Sequence, residues 1–297
     1  MSDIAIDGTG AESPAEIPAR GWREVLVRTW KEGEDDNVGL IAAGVAFYAF
    51  VAFVPLLAAM MLIYGLVADP VTVAGHIQRL FEILPGEAAG LIGEQLSGIA
   101  GGDPAPKGFA LLLALLLALY GSMKGAGAIM IALNVANEVP ETRGFVHTSL
   151  LALLITLGTI VAVMVAIGAT AALGFVDRLL PSSSPILHGA LKLLSWIGAA
   201  LVTSALLASV YRYAPNRPNA RWRWLSPGSL AATLLVLAAT LGFGFYVANF
   251  GNYNATYGSL GAVVVFLTWL YLSAYIVLMG AELNSELEKQ AGGEADT

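Results

Sequence analysis

Charge disappears from this chain in long blocks. Val38 to Ala68 carries none, Gly108 to Asn137 only Lys124, and Thr148 to Val176 and Leu193 to Tyr211 again none. The longest uncharged run, Trp224 to Ala281, lasts 58 residues. A bilayer core of about 30 Å is crossed by about 20 apolar helical residues, so this run holds two spans, with a turn at Asn249-Phe250-Gly251-Asn252-Tyr253-Asn254. The pattern predicts six transmembrane helices, over 39–67, 108–136, 147–173, 188–212, 227–250 and 257–283. A β-barrel is excluded because apolar and polar residues do not alternate and the runs are rich in Ala and Leu. Two further stretches are amphipathic. Trp22, Val25, Leu26, Thr29 and Trp30 share one helical face, with Arg23, Arg28 and Lys31 elsewhere around it, which suits a helix lying in the membrane interface. Between spans one and two, Val73, Ile77, Leu80, Phe81 and Leu84 form one stripe, and Leu91, Ile92 and Ile99 begin another after Pro85-Gly86.

The expected fold is all-α: a polytopic membrane protein with a six-helix bundle, an N-terminal interfacial helix and an external amphipathic helical hairpin. The expected organisation is a disordered acidic tail over 1–19, the interfacial helix over 20–37, a membrane domain over 38–286 with the external insertion at 69–106, and a cytoplasmic tail over 287–297.

Composition strengthens this picture. Of 297 residues, 57% are hydrophobic and 12% charged, against about 25% charged in soluble domains, and the mean hydropathy is +0.72. The absence of cysteine excludes a disulfide scaffold or a thiolate metal site. The net charge of −7 sits mostly in the terminal segments, and the nearly neutral middle presents no face suited to nucleic acid. Loop Lys and Arg residues divide ten against four between the two sides, with Arg212, Arg217, Arg221 and Arg223 in one loop free of acids. By the positive-inside rule both termini are cytoplasmic, and the expected location is a bacterial inner membrane.

Chemistry of the usual kinds is missing. There is no phosphate-binding loop, no HExxH and no GxSxG elbow. His147 falls on the cytoplasmic side and His76 and His188 on the other, so the three histidines build no common site. The expectation is a protein that is not an enzyme and has no catalytic residues, metal or cofactor.

Polar residues at membrane depth are costly unless paired or facing water, so they mark candidate sites. Asn134, Asn137, Glu138 and Glu141 fall at helical offsets on one face, with Lys124 about 15 Å up the axis. On the last span Thr268, Tyr271, Tyr275, Glu282 and Glu286 share a face, with Asn284 nearby. The candidates for lining a substrate cavity are Lys124, Asn134, Asn137, Glu141, Tyr271, Tyr275, Glu282 and Asn284. The two stripes are expected to face one another, with Lys124 or Arg143 balancing Glu282. Pro55 removes a backbone bond within the first span and is expected to kink it.

Several segments resemble a known family in their order along the chain. They are AAGVAFYAFVAFVPLL (Ala42 to Leu57), IYGL with Asp69-Pro70, KGAGAIMIALN with ETRGF (Lys124 to Phe145), YRYAPN, WRWLSPGS, YGSLGAVVVFLTWLYLSAY and GAELNSELE. Over about residues 20 to 290 the chain resembles the YihY/virulence factor BrkB family. The resemblance implies a six-helix inner-membrane protein with cytoplasmic termini, and brings an old family label, ribonuclease BN, that the missing metal ligands do not support. Other members are associated with serum resistance or envelope lipids. The expected function is a transporter or permease for a lipid-like or amphiphilic envelope substrate, with membrane lipids as partners and no nucleic acid. The alternatives are a membrane scaffold for envelope assembly and, disfavoured, the tRNA-processing ribonuclease.

Overall fold

The computed structural model describes residues 8–67, 104–159, 185–217, 222–250 and 259–292. Seven helices run through them: α1 (Ala19–Asp35), α2 (Val38–Val67), α3 (Pro104–Ala136), α4 (Phe145–Thr159), α5 (Pro185–Tyr213), α6 (Trp222–Phe250) and α7 (Ser259–Gly292). No strand occurs among the described residues. In hydrocarbon each backbone N–H and C=O must be satisfied within its own segment, which makes helix the outcome for long apolar runs. Four segments are long and apolar enough to cross a membrane: Gly108–Ala136, Gly189–Tyr213, Pro227–Tyr246 and Val263–Gly292. The pair Ala19–Asp35 and Val38–Phe53, bent by 66°, passes the same test only when taken together as one span, which gives four or five candidates among the described residues. The third expected span is described only as far as Thr159, and the expected external hairpin lies outside the described residues apart from the start of α3. Leu112, Leu116, Leu193, Leu234 and Leu241 are exposed on the outer surfaces of α3, α5 and α6, as lipid-facing side chains must be.

The bend between α1 and α2 has a local cause. Asn37 adopts a left-handed φ of 54°, which Asn tolerates better than most residues because its short side chain bonds locally. The Asp36 N–H still donates to the Glu32 carbonyl, closing α1, while the Asn37 carbonyl accepts from the N–H groups of Leu40 and Ile41 and starts α2. α2 then runs as one helix from Val38 to Val67, through Pro55.

The described chain divides into two compact units, one of residues up to 47 and from 125 onward, the other of residues 48–124. In the smaller unit α2 and α3 touch closely at Gly121, where a Cβ would lie 2.9 Å from the Ala52 Cα. In the larger unit α7 is the central element, packed on α6 and on α1. Every residue from Gly280 to Leu287 is buried, far more than a lipid-facing helix requires. One apolar cluster joins Ile17, Val25, Trp224, Leu283 and Leu287; another joins Val38, Ala42, Ala132 and Leu278.

Two expectations about the N-terminal part of the chain are revised here. Residues 8–18, expected within a disordered tail, lie against α7: the Gly10 N–H donates to the Ala291 carbonyl at 3.0 Å, and Ala11 and Ile17 are buried. The apolar face of α1 is divided, with Val25 and Thr29 buried and Leu26, Val27 and Trp30 each more than half exposed. A helix squeezed between a protein core and a lipid interface needs two apolar stripes, and a single helical wheel merges them.

Candidate functional site

Polar side chains of the larger unit gather around the turns after α3 and α5 and the last three turns of α7. Their first assembly closes α3. Glu138 takes a left-handed φ of 52° just beyond Ala136, the Asn137 Nδ2 donates to the Leu133 carbonyl, and the chain reverses. Glu141 therefore does not continue the helical stripe. It returns to the helix end, where it accepts from Asn134 Nδ2 at 2.8 Å. Arg143, two residues on, chelates the same carboxylate through its backbone N–H, Nε and Nη2. That guanidinium and its hydrogen bonds hold the Glu141 carboxyl down to about 2. Arg143 also donates to the Ala214 carbonyl, and Asn134 Oδ1 accepts from the Asn216 N–H at 2.7 Å. The Asn216 amide in turn donates to the Pro140 carbonyl and to Thr142 Oγ1. The turn after α3 is thereby locked to the turn after α5.

The second assembly joins α5 and α6 to α7. Asn284 Oδ1 accepts from the Gly228 N–H at 2.8 Å, and Tyr211 donates its hydroxyl to the Val277 carbonyl at 2.6 Å. Gly228 and Gly280 allow this approach: a Cβ on Gly228 would lie 2.0 Å from the Gly280 carbonyl oxygen.

The third assembly surrounds Glu282. This side chain is 2% exposed, and its Oε1 has no hydrogen-bond partner. Asp36, in the bend between α1 and α2, is close enough for its charge to act on this carboxyl. Lys289 donates to Glu138 and Glu286 at 2.7 and 2.8 Å, and Arg28 donates to Glu286 at 2.8 Å and to Gln290. Glu32 is close enough to feel Asp36, Glu138, Glu286 and Lys289. Five carboxyls, Glu32, Asp36, Glu138, Glu282 and Glu286, thus share two cations, Arg28 and Lys289, with Asp35 adding a sixth carboxyl beside Asp36. Burial, then the charge of Glu138, raises Asp36 above the usual range; burial likewise raises Glu32. Among the described residues no three such groups are set for a metal ion.

The sequence candidates therefore separate. Asn134 and Glu141 meet, Tyr271 and Tyr275 stand side by side with ring centroids 6.3 Å apart, and Asn284 binds α6. Lys124 belongs to the smaller unit, where it is exposed with its ammonium 5.4 Å from the Tyr120 ring centroid. The charged groups about Glu282 are Asp36, Lys289, Glu32 and Glu286, whereas Arg143 is taken up by Glu141, since two residues of one turn chelate at little entropic cost. Asp36 and Arg28 fell within the expected interfacial helix and Lys289 within the expected tail, and none was singled out as a site residue. The signal available was position, since an acidic residue immediately preceding a span must find a partner or water.

The profile of the virulence factor BrkB family matches residues 29–297. A ribonuclease-like protein, YfkH, of Bacillus subtilis is 28% identical over 61% of this chain and 66% of its own length. A UPF0761 membrane protein of Chlorobium luteolum is 29% identical over 84% of this chain and 56% of its own. A UPF0761 membrane protein of Psychromonas ingrahamii is 27% identical over 90% of this chain and 88% of its own. The chain thus spans less than two thirds of the length of the first two relatives. No solved structure matches. With a family match over nearly its whole length and helices suited to hydrocarbon, the chain is a membrane protein that belongs to the virulence factor BrkB family.

Proposed function

We propose that the protein is a permease-like carrier of a lipid-like or amphiphilic envelope substrate, set in a bacterial inner membrane with both termini cytoplasmic, and that it is not an enzyme. The observation that carries this reading is the buried Glu282 with one unsatisfied oxygen, facing Asp36 in the bend between α1 and α2. A purely structural carboxylate would be fully hydrogen-bonded, because an unmet buried acceptor costs about 1–3 kcal/mol. Asp36 and Glu282 are close enough for their charges to act on one another, so ionising both places two negative charges together at a bend. Proton loss and gain at this pair therefore favours different angles between α1 and α2, which is what a carrier without a nucleotide-binding module needs. The divided apolar face of α1, with Leu26, Val27 and Trp30 outward, supports contact with lipid.

The scaffold reading keeps one specific support: Asn134, Asn137, Glu141 and Asn284 are occupied by internal hydrogen bonds. The two readings separate in proteoliposomes. Transbilayer movement of a fluorescent phospholipid is followed for the wild type, Glu282→Gln and Asp36→Asn at matched protein levels. Accelerated movement that slows in both variants is the expected outcome. Wild-type vesicles no faster than empty ones would favour the scaffold.

A further inference from the structure

The outward face of α1 carries a shallow apolar groove lined by Trp22, Arg23, Leu26, Val27, Trp30 and Lys31. Their spacing places them in one strip along the helix. Leu26, Val27 and Trp30 are each more than half exposed, whereas Val25 and Thr29, on the opposite face, are buried against the protein. The charges of α1 divide in the same way. Arg28 turns inward to Glu286 and Gln290, and Glu32 lies inward near Lys289. Arg20 pairs with Glu24, and Glu34 accepts from the Trp30 indole. Arg23 and Lys31 are exposed, and neither has a hydrogen bond or an ion pair among the described residues. They stand about 12 Å apart along the axis, near the two ends of the apolar strip. Among the described residues no carboxylate lines the groove, and Asp35 lies beyond it beside the bend. α1 leads through that bend into α2, which carries no charge from Val38 to Val67. The groove therefore lies where the chain passes from water into hydrocarbon. We propose that this face of α1 is a docking surface for an anionic phospholipid of the leaflet beside it.

An apolar strip of this kind inserts among acyl chains, while Arg and Lys stems lie along it and carry their charges to the level of the phosphates. Trp30 suits the same level, with an apolar ring and a polar N–H. A zwitterionic headgroup cancels its own charge, so two cations unopposed by a carboxylate favour a lipid with net negative charge. This gives the lipid contact of the carrier reading a lipid class and its residues; it rests on that contact and not on transport.

The chain contains no cysteine, so Val27→Cys provides a single attachment point for an environment-sensitive fluorophore. The full chain in neutral detergent is titrated with short-chain phosphatidylglycerol or phosphatidylcholine, and lipid retention by the unlabelled chain is read by native mass spectrometry. Phosphatidylglycerol should bind at least about ten-fold more tightly, since each cation near an anionic surface contributes about five-fold (about 1 kcal/mol). Arg23→Gln and Lys31→Gln should each weaken it about five-fold, and the double variant about 25-fold. Arg20→Gln, outside the groove and paired with Glu24, should bind as the wild type does. Added salt should narrow the preference. All three side chains are exposed, so each variant should unfold at the wild-type temperature. Equal affinity for the two lipids, or equal weakening by Arg20→Gln, would overturn the assignment. So would a fluorophore already shielded without lipid in a particle with the mass of two chains, which gives the face to a second copy. Lipid binding without accelerated transbilayer movement faults the carrier reading alone, and accelerated movement without a preference for phosphatidylglycerol faults only the docking surface.

Discussion

The contact between α6 and α7 at Gly228 offers the sharpest quantitative prediction. A Cβ on Gly228 would meet the Gly280 carbonyl oxygen at 2.0 Å and Asn284 Oδ1 at 2.5 Å. The asparagine can rotate away, but the carbonyl belongs to a helix backbone and cannot. Restoring an ordinary contact of about 3.4 Å requires the helices to separate locally by more than about 1 Å. That separation also breaks the hydrogen bond from the Gly228 N–H to Asn284. Overpacking a core by one methyl costs about 1–3 kcal/mol, and a buried hydrogen bond left unmade costs a similar amount. Gly228→Ala should therefore destabilise the protein by about 2–6 kcal/mol. Gly242 and Gly244 lie on the same helix with nothing within 4 Å of an added Cβ. Gly242→Ala and Gly244→Ala should be neutral, or gain up to about 1 kcal/mol from helix propensity. Reversible unfolding in bicelles by added SDS, followed by tryptophan fluorescence, measures all three. A Gly228→Ala variant within about 0.5 kcal/mol of Gly242→Ala would refute the close approach.

Two further predictions concern the turn after α3. Asn134 donates to Glu141 and accepts from Asn216, so Asn134→Asp, which places a second carboxylate against Glu141, should unfold at a lower temperature than Asn134→Ala; the reverse order would count against the latch. Glu141 is held at about 2 against an ordinary 4.5, so its contribution is fully present above pH 4.5 and lost as the pH falls from 4.5 towards 2. Glu141→Gln should flatten the fall of the thermal midpoint across that window, and an unchanged slope would show that the Arg143 pair contributes nothing.

The membrane class, the helical state and the approximate spans were legible because hydrocarbon imposes a one-dimensional rule: a segment without charge and about 20 residues long enters the bilayer as a helix. That rule places α2, α3, α5 and α6 close to their observed bounds, and the start of α7. It fails where a helix ends. The stripe from Asn134 to Glu141 assumed a helix continuing through Glu138, whereas the left-handed residue there turned Glu141 back on Asn134. It fails again for α7, whose polar end runs on as helix to Gly292 with residues 280–287 buried.

By its own arithmetic of charge and apolar length, the sequence determined that this chain belongs in a membrane, which stretches are apolar enough to cross it, and which few polar residues need an explanation. Only the tertiary structure decided who meets whom. Asp36 and Glu282 lie 246 positions apart, as do many pairs that never touch. Their juxtaposition depends on a bend at Asn37 and on α1 lying along α7. Burial of a charge is a property of its neighbours in space, and hydropathy along a chain contains no information about them.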